Sequence, residues 1–148
     1  MFPNLETLYI SDCKNLNLSA DNDIPIQTLR MKYLHLEGFL ELFTLPKWIE
    51  GAIDTLETLI VVNCPNLNML SYFLISMSHL KRLYIHDCPL LKMILLPSYN
   101  DHFTALEDLR IDGCPDLCRH YQQHCGEYWP TIAHIKSVFI GEPRGEEE

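Results

Sequence analysis

Short stretches of alternating apolar and polar residues recur along this chain, and each stretch ends at a small corner sequence. In "LKRLYIHDCPLL", residues 80–91, Leu83 and Ile85 are separated by a single residue, Tyr84. A spacing of two is that of a β-strand, in which successive side chains point to opposite faces. We therefore expect Leu83 and Ile85 to point into a core and Tyr84 to point outward.

The pattern repeats at a nearly constant period. The aligned copies are "LETLYISDCKNL" from Leu5, "MKYLHLEGFLEL" from Met31, "LETLIVVNCPNL" from Leu56, "LKRLYIHDCPLL" from Leu80 and "LEDLRIDGCPDL" from Leu106. Their starts are 26, 25, 24 and 26 residues apart, and a weaker copy follows from Ile135. This period and the form L-x-x-L-x-L-x-x-C/N-x-L are the signature of leucine-rich repeats. The predicted fold is an α/β-type leucine-rich-repeat solenoid, with short parallel strands lining a concave face and irregular or short helical segments on the convex side.

A cysteine occupies the corner in four of these copies. Its small side chain suits a buried turn, where the weak S–H donor can meet carbonyl groups of its own or an adjacent unit. The predicted structural corner residues are Cys13, Cys64, Cys88 and Cys114. The proline that follows three of them is expected to stop the strand, because proline lacks the amide hydrogen that a ladder needs.

The residue between the two inward positions forms a predicted outward column. Its members are Tyr9, His35, Ile60, Tyr84, Arg110 and Phe139. Four of the six are aromatic or aliphatic, and an exposed apolar column with tyrosine and arginine has the composition of a protein-binding site. Charged positions beside the column that could supply selectivity are Arg82, Glu37, His86, Asp108 and Asp112. The alternative is that the rest of the chain covers part of this column, or that one copy is imperfectly aligned.

Composition and charge narrow the classes of partner and compartment. The chain has 148 residues, enough for one domain, and a net charge of −9 from 11 basic and 20 acidic side chains. This charge would repel phosphate backbones, so we expect no nucleic-acid partner. The longest apolar runs fall short of the roughly 20 residues that a membrane span needs. The N-terminus lacks the pattern of a secretory signal, so we expect free thiols and a location in the cytoplasm or the nucleus.

Residues with catalytic or metal-binding chemistry do not group at motif spacing. The sequence contains no phosphate loop and no nucleophile–base arrangement, so we expect neither an enzyme nor a bound cofactor or small-molecule ligand. One cluster carries metal-ligating side chains: Cys114, Cys118, His120, His124 and Cys125. Its spacing lacks the separation of about 12 residues found in zinc-finger hairpins. Cys114 already has a core position, and a metal-binding module built on Cys118, His120, His124 and Cys125 is kept as an alternative.

Three motifs make the comparison with known repeat families more specific. They are the "C-P-x-L" corner, the segment "LPKWIEGAIDTLETLIVVNCPNL" at 45–67, and the ending at 105–142, which contains Gly126-Glu127-x-Trp129-Pro130-x-Ile132-x-His134-Ile135. Together they resemble the C-terminal repeats of plant nucleotide-binding, leucine-rich-repeat (NLR) disease-resistance proteins of the coiled-coil class. The resemblance covers essentially the whole chain. It predicts repeats over 1–119, a C-terminal capping unit over 120–141 and an acidic disordered tail over 142–148.

The resemblance also implies a function. In such receptors the repeats recognise a pathogen effector or a guarded host protein, and they hold a nucleotide-binding switch domain inactive. This chain carries the repeats and not the switch domain, so a truncated, non-functional fragment is one alternative. A second is the repeat region of an F-box-type ubiquitin-ligase adaptor, although no F-box segment is present and the corners fit less well.

Overall fold

The strands of this protein form a parallel sheet in chain order. The computed structural model describes residues 4–12, 27–70, 74, 76–94 and 105–142. In that part of the chain six strands lie side by side: β1 (Thr7–Ser11), β2 (Tyr33–Glu37), β3 (Thr58–Val62), β4 (Arg82–His86), β5 (Asp108–Asp112) and β6 (Ser137–Ile140). Each neighbouring pair is parallel. The parallel sheet expected from the repeat is confirmed.

The register of the sheet follows the sequence alignment position by position. Leu83 pairs with Leu59 on one side and Leu109 on the other, and Ile85 pairs with Val61 and Ile111 in the same way. All of these side chains are fully buried. Burial of one large aliphatic side chain contributes about 1.5–3 kcal/mol, so this inward face is a major source of stability.

Connecting segments add to the same core. A 3-10 helix, Lys47–Ala52, buries Ile49 and Ala52, and helix α1, Pro115–His120, buries Leu117 and Cys118. These side chains belong to one cluster with the inward residues of the strands. In the part of the chain that the structure describes, these two connections therefore pack on the inward side of the sheet.

The segment before β6 contains the residues expected to cover the last repeat. Ile132 and Ile135 are buried, whereas Tyr128 and Trp129 are partly buried and pack against the core. A second 3-10 helix, Trp129–Thr131, carries part of this segment. Residues 143–148, the main part of the predicted acidic tail, lie outside the described residues.

Strands β1 to β5 are each followed by a residue with left-handed backbone geometry. These residues are Asp12, Gly38, Asn63, Asp87 and Gly113, with φ between 51° and 79°. Glycine, asparagine and aspartate tolerate this conformation better than other residues do. Because β3, β4 and β5 end three residues before the corner prolines, the expectation that proline stops the strand is wrong. The left-handed residue turns the chain out of the ladder, and the proline lies beyond it.

Candidate protein-binding face

Alternation along each strand creates an outward face on the side of the sheet opposite the core. We define this face by the first, third and fifth residues of the strands. The central column contains the predicted residues as register partners: Tyr9, His35, Ile60, Tyr84, Arg110 and Phe139. Tyr9, Arg110 and Phe139 are exposed, and the other three are half-buried by their neighbours on the same face.

Tyr84, Asp108 and Arg110 form a cluster on β4 and β5. The Tyr84 hydroxyl donates a hydrogen bond of 2.7 Å to Asp108 Oδ2, and this bond is the main cause of the raised pKa of Tyr84. The Arg110 guanidinium carbon lies 5.1 Å from the centre of the Tyr84 ring, and Arg110 Nε is 3.6 Å from Asp108 Oδ1. The Arg110 side chain is still 54% exposed. A partner can therefore reach a guanidinium whose position is already restrained.

Arg82 extends from β4 across the neighbouring strand. Its Nη1 donates a hydrogen bond of 3.1 Å to Thr58 Oγ1. Thr58 is buried, although it belongs to the first row of the outward face. The aliphatic part of Arg82 can thus cover apolar surface while its charge stays accessible.

A second cluster joins β1 and β2. The rings of Tyr9 and His35 lie 4.1 Å apart between centroids. Glu37 Oε1 accepts a hydrogen bond of 3.1 Å from the Tyr9 hydroxyl and lies 3.0 Å from His35 Nε2. The bond to Glu37 raises the pKa of Tyr9.

The hydrogen bonds also favour one form of His35. Its Nδ1 is buried and has no hydrogen-bond partner, whereas Nε2 faces Glu37. With the proton on Nε2, the ring donates a hydrogen bond to the Glu37 carboxylate and leaves Nδ1 as an unpaired acceptor. This arrangement costs less than the other tautomer, in which Nε2 and the carboxylate oxygen would be two acceptors facing each other. Glu37 therefore has hydrogen-bond partners within the chain while its side chain stays 32% exposed, and Tyr9 is the most exposed residue of this cluster.

Apolar side chains separate the two clusters. Ile60 and Val62 on β3 are half-buried in the centre of the outward face. His86 and Asp112 continue the row of Val62 on the next two strands, half-buried and exposed respectively. The face thus combines an apolar centre, three tyrosines and two arginines, and its charged groups lie mainly on β4 and β5.

The corner cysteines lie directly beyond the strands. Each thiol donates to the carbonyl two residues earlier: Cys64 to Val62 at 3.5 Å, Cys88 to His86 at 3.4 Å and Cys114 to Asp112 at 3.4 Å. The Cys88 amide donates to Cys114 Sγ at 3.3 Å, which connects adjacent units. Hydrogen bonds to Cys114 and Cys64, together with burial, raise the pKa of Cys88. Cys13 lies outside the described residues.

The members of the cysteine and histidine cluster contact different partners in the structure. Cys118 is buried and donates to the Ile111 carbonyl at 3.8 Å, and burial raises its pKa to about 11. His120 Nδ1 is 3.5 Å from Glu127 Oε2, and the His124 ring lies 5.5 Å from that of Trp129. Among the residues that the structure describes, no group of three His, Cys, Asp or Glu side chains could hold a metal ion.

Sequence reasoning missed a set of exposed apolar residues in the loops after the strands. These residues are Leu40, Phe43, Met69 and Leu90. All four follow a corner by one to five positions, so the repeat alignment already contains the signal that places them on the same edge of the sheet. They form a set of exposed apolar side chains beyond the ends of β2, β3 and β4.

Comparison of the chain with family models, with curated proteins and with solved structures gave no match in any of the three searches. Within the described residues, the helices are too short and too polar to cross a bilayer. The repeat pattern and the chemistry of the outward face therefore carry the functional assignment.

Proposed function

We propose that this chain is a leucine-rich-repeat solenoid that acts as a protein-interaction module of a plant innate-immune receptor of the coiled-coil NLR class. The repeat period and the corner motif support the solenoid, because each aligned copy supplies one strand of a parallel sheet in matching register. The resemblance of residues 45–67 and 105–142 to such receptors supports the receptor class.

The single observation that carries the binding function is the Tyr84–Asp108–Arg110 cluster. Tyrosine and arginine are enriched among the residues that contribute most to protein interfaces. Here both side chains are held by contacts within the chain before any partner arrives. Such preorganisation lowers the conformational entropy that binding costs. The outward face is thus the surface that we assign to a protein partner.

The partner classes follow from the receptor proposal. They are a pathogen effector, a guarded host protein, or the nucleotide-binding switch domain that the repeats would hold inactive. The proposed compartment is the cytoplasm or the nucleus, where such partners occur. We propose no catalytic activity and no cofactor for this chain.

Affinity capture from plant cell extract, with quantitative mass spectrometry, tests the binding function. The bait is the chain itself, compared with a Tyr84→Ala/Arg110→Ala variant and with Lys47→Ala as control. Lys47 is exposed in the 3-10 helix on the inward side of the sheet. We expect specific proteins to be lost with the double variant and retained with the control. Equal recovery by all three baits would contradict a role for the outward face.

The F-box adaptor is the second candidate, and the truncated fragment is the third. Sequencing of the transcript upstream of the Met1 codon separates them. An in-frame phosphate loop and coiled coil would support the immune receptor, and an F-box segment would support the adaptor. A promoter and stop codon directly upstream would support the fragment and contradict both other proposals.

A further inference from the structure

A row of alternating charges runs along the edge of the sheet where the strands begin. Each strand is preceded directly by a charged residue, and the sign changes at every step from β1 to β6. The six residues are Glu6, Lys32, Glu57, Lys81, Glu107 and Lys136. We call them the charge row.

Backbone hydrogen bonds place successive members of the charge row on neighbouring strands. The Lys32 amide donates to the Glu6 carbonyl at 2.8 Å, and the Glu57 amide donates to the Lys32 carbonyl at the same distance. In the same way, the Lys81 amide donates to the Glu57 carbonyl at 2.9 Å, and the Glu107 amide donates to the Lys81 carbonyl at 2.8 Å. On the first pair the side chains also meet, with Lys32 Nζ 3.9 Å from Glu6 Oε1. Every member has the opposite charge on the adjacent strand, so the row favours this order of strands.

The two ends of the charge row are complementary to each other. Glu6 lies on β1 and Lys136 on β6, and each of these strands pairs on one side only within the described sheet. The inward side chains of the four central strands are fully buried. Those of the two edge strands are only partly buried: Leu8, Ile10, Val138 and Ile140. Within the described residues, both edges therefore present backbone hydrogen-bonding groups beside incompletely covered apolar surface, which is a template for further strand pairing.

A second copy of this chain fits both edges at once. If β6 of one copy lies parallel to β1 of another, Lys136 comes beside Glu6 and the sign alternation continues across the contact. In the same register Val138 lies beside Leu8 and Phe139 beside Tyr9, so the apolar rows continue as well. An antiparallel contact between two β1 strands would instead bring Glu6 near Asp12, and like charges oppose it.

From this complementarity we infer that the chain associates with itself head to tail, through β6 of one copy and β1 of the next. Such a contact is heterologous, so it joins copies into a ring or an open chain, and assembly grows with concentration. The charge-row variants leave the Tyr84–Asp108–Arg110 cluster unchanged, so self-association and the proposed partner binding are tested by separate variants.

Sedimentation velocity over a range of protein concentrations tests this inference. We expect the average mass of the wild-type chain to rise above that of the 17.3 kDa monomer. Glu6→Lys and Lys136→Glu, each alone, place like charges at the contact and should weaken association about tenfold. Lys92→Glu makes the same charge change at an exposed residue outside the charge row and should leave association unchanged.

The mixture of the two variants provides the decisive comparison. Each copy of Glu6→Lys can contact a copy of Lys136→Glu through a Lys–Glu pair at either edge, so an equimolar mixture should associate as the wild type does. Failure of the mixture to recover would overturn the head-to-tail arrangement, and so would a wild-type chain that stays monomeric. Circular dichroism checks folding, and the neutral variants Glu6→Gln and Lys136→Gln replace any variant that fails to fold. For these, weaker association than wild type supports the contact and unchanged association contradicts it.

Discussion

Truncation of Leu83 provides a quantitative test of the inward face. Leu83 is fully buried on β4 between Leu59 and Leu109. Leu83→Ala removes three carbon atoms, which at about 0.8 kcal/mol each amounts to about 2.4 kcal/mol of lost transfer free energy. The cavity left behind adds to this loss, so the expected decrease in unfolding free energy is about 2–5 kcal/mol. That is a large part of the total of about 5–15 kcal/mol typical of a domain.

The assay is urea unfolding followed by circular dichroism, with Tyr84→Ala as the matched control on the same strand. The control removes one hydrogen bond on the outward face, at about 0.5–1.5 kcal/mol, and the ring contact with Arg110, at about 0.5–1 kcal/mol. It should therefore shift the midpoint less than Leu83→Ala does. Leu83→Asp, which places an unpaired charge in the core, should not fold. If Leu83→Ala and Tyr84→Ala shift the midpoint equally, or if Leu83→Asp melts like the wild type, the assignment of inward and outward positions is wrong.

Three further predictions concern the turns, the thiols and the tyrosine cluster. Gly113→Ala should lower the unfolding free energy by about 1–3 kcal/mol, because a Cβ at this positive φ would collide with Asp87; an unchanged urea midpoint would contradict this geometry. The folded-state pKa of Cys118 is raised from 9.0 to about 11, so its contribution to stability is complete below pH 9 and is lost as pH rises to 11. In the Cys118→Ala variant, the urea midpoint should fall less steeply between pH 9 and pH 11 than in the wild type. An equal fall in the two proteins would contradict this prediction. Asp108→Asn should lower the raised pKa of Tyr84, measured as the difference between ultraviolet titrations with and without Tyr84→Phe, and no change would exclude the hydrogen bond.

The sequence is sufficient to predict the sheet because its signal is local and repeated. Leu83 and Ile85 identify a strand by their spacing, and five aligned copies fix which residues become neighbours. The partners in the register, such as Tyr84 and Arg110, follow from the alignment without any knowledge of side-chain packing.

Features that depend on contacts between units cannot be predicted in this way. The repeat pattern predicts that Tyr84 faces solvent. Tyr84 is only partly exposed, because Asp108 on the next strand binds its hydroxyl and Arg110 covers its ring. Cys118 receives no role from the repeat pattern, since its burial depends on α1 packing beside β5. Proline is the conspicuous residue at the corners, yet the residues that turn the chain, Asn63 and Asp87 among them, are also visible in the alignment.

Site-specific photo-crosslinking in plant cells is the measurement that tests the binding face most directly. A benzoyl-phenylalanine residue replaces Ile60, in the centre of the outward face, or Lys47, on the inward side of the sheet. We expect irradiation to yield a covalent adduct with another protein from position 60 and none from position 47. An adduct at position 47 alone, or no adduct at either position, would contradict the assignment of the outward face as the surface that binds a protein partner.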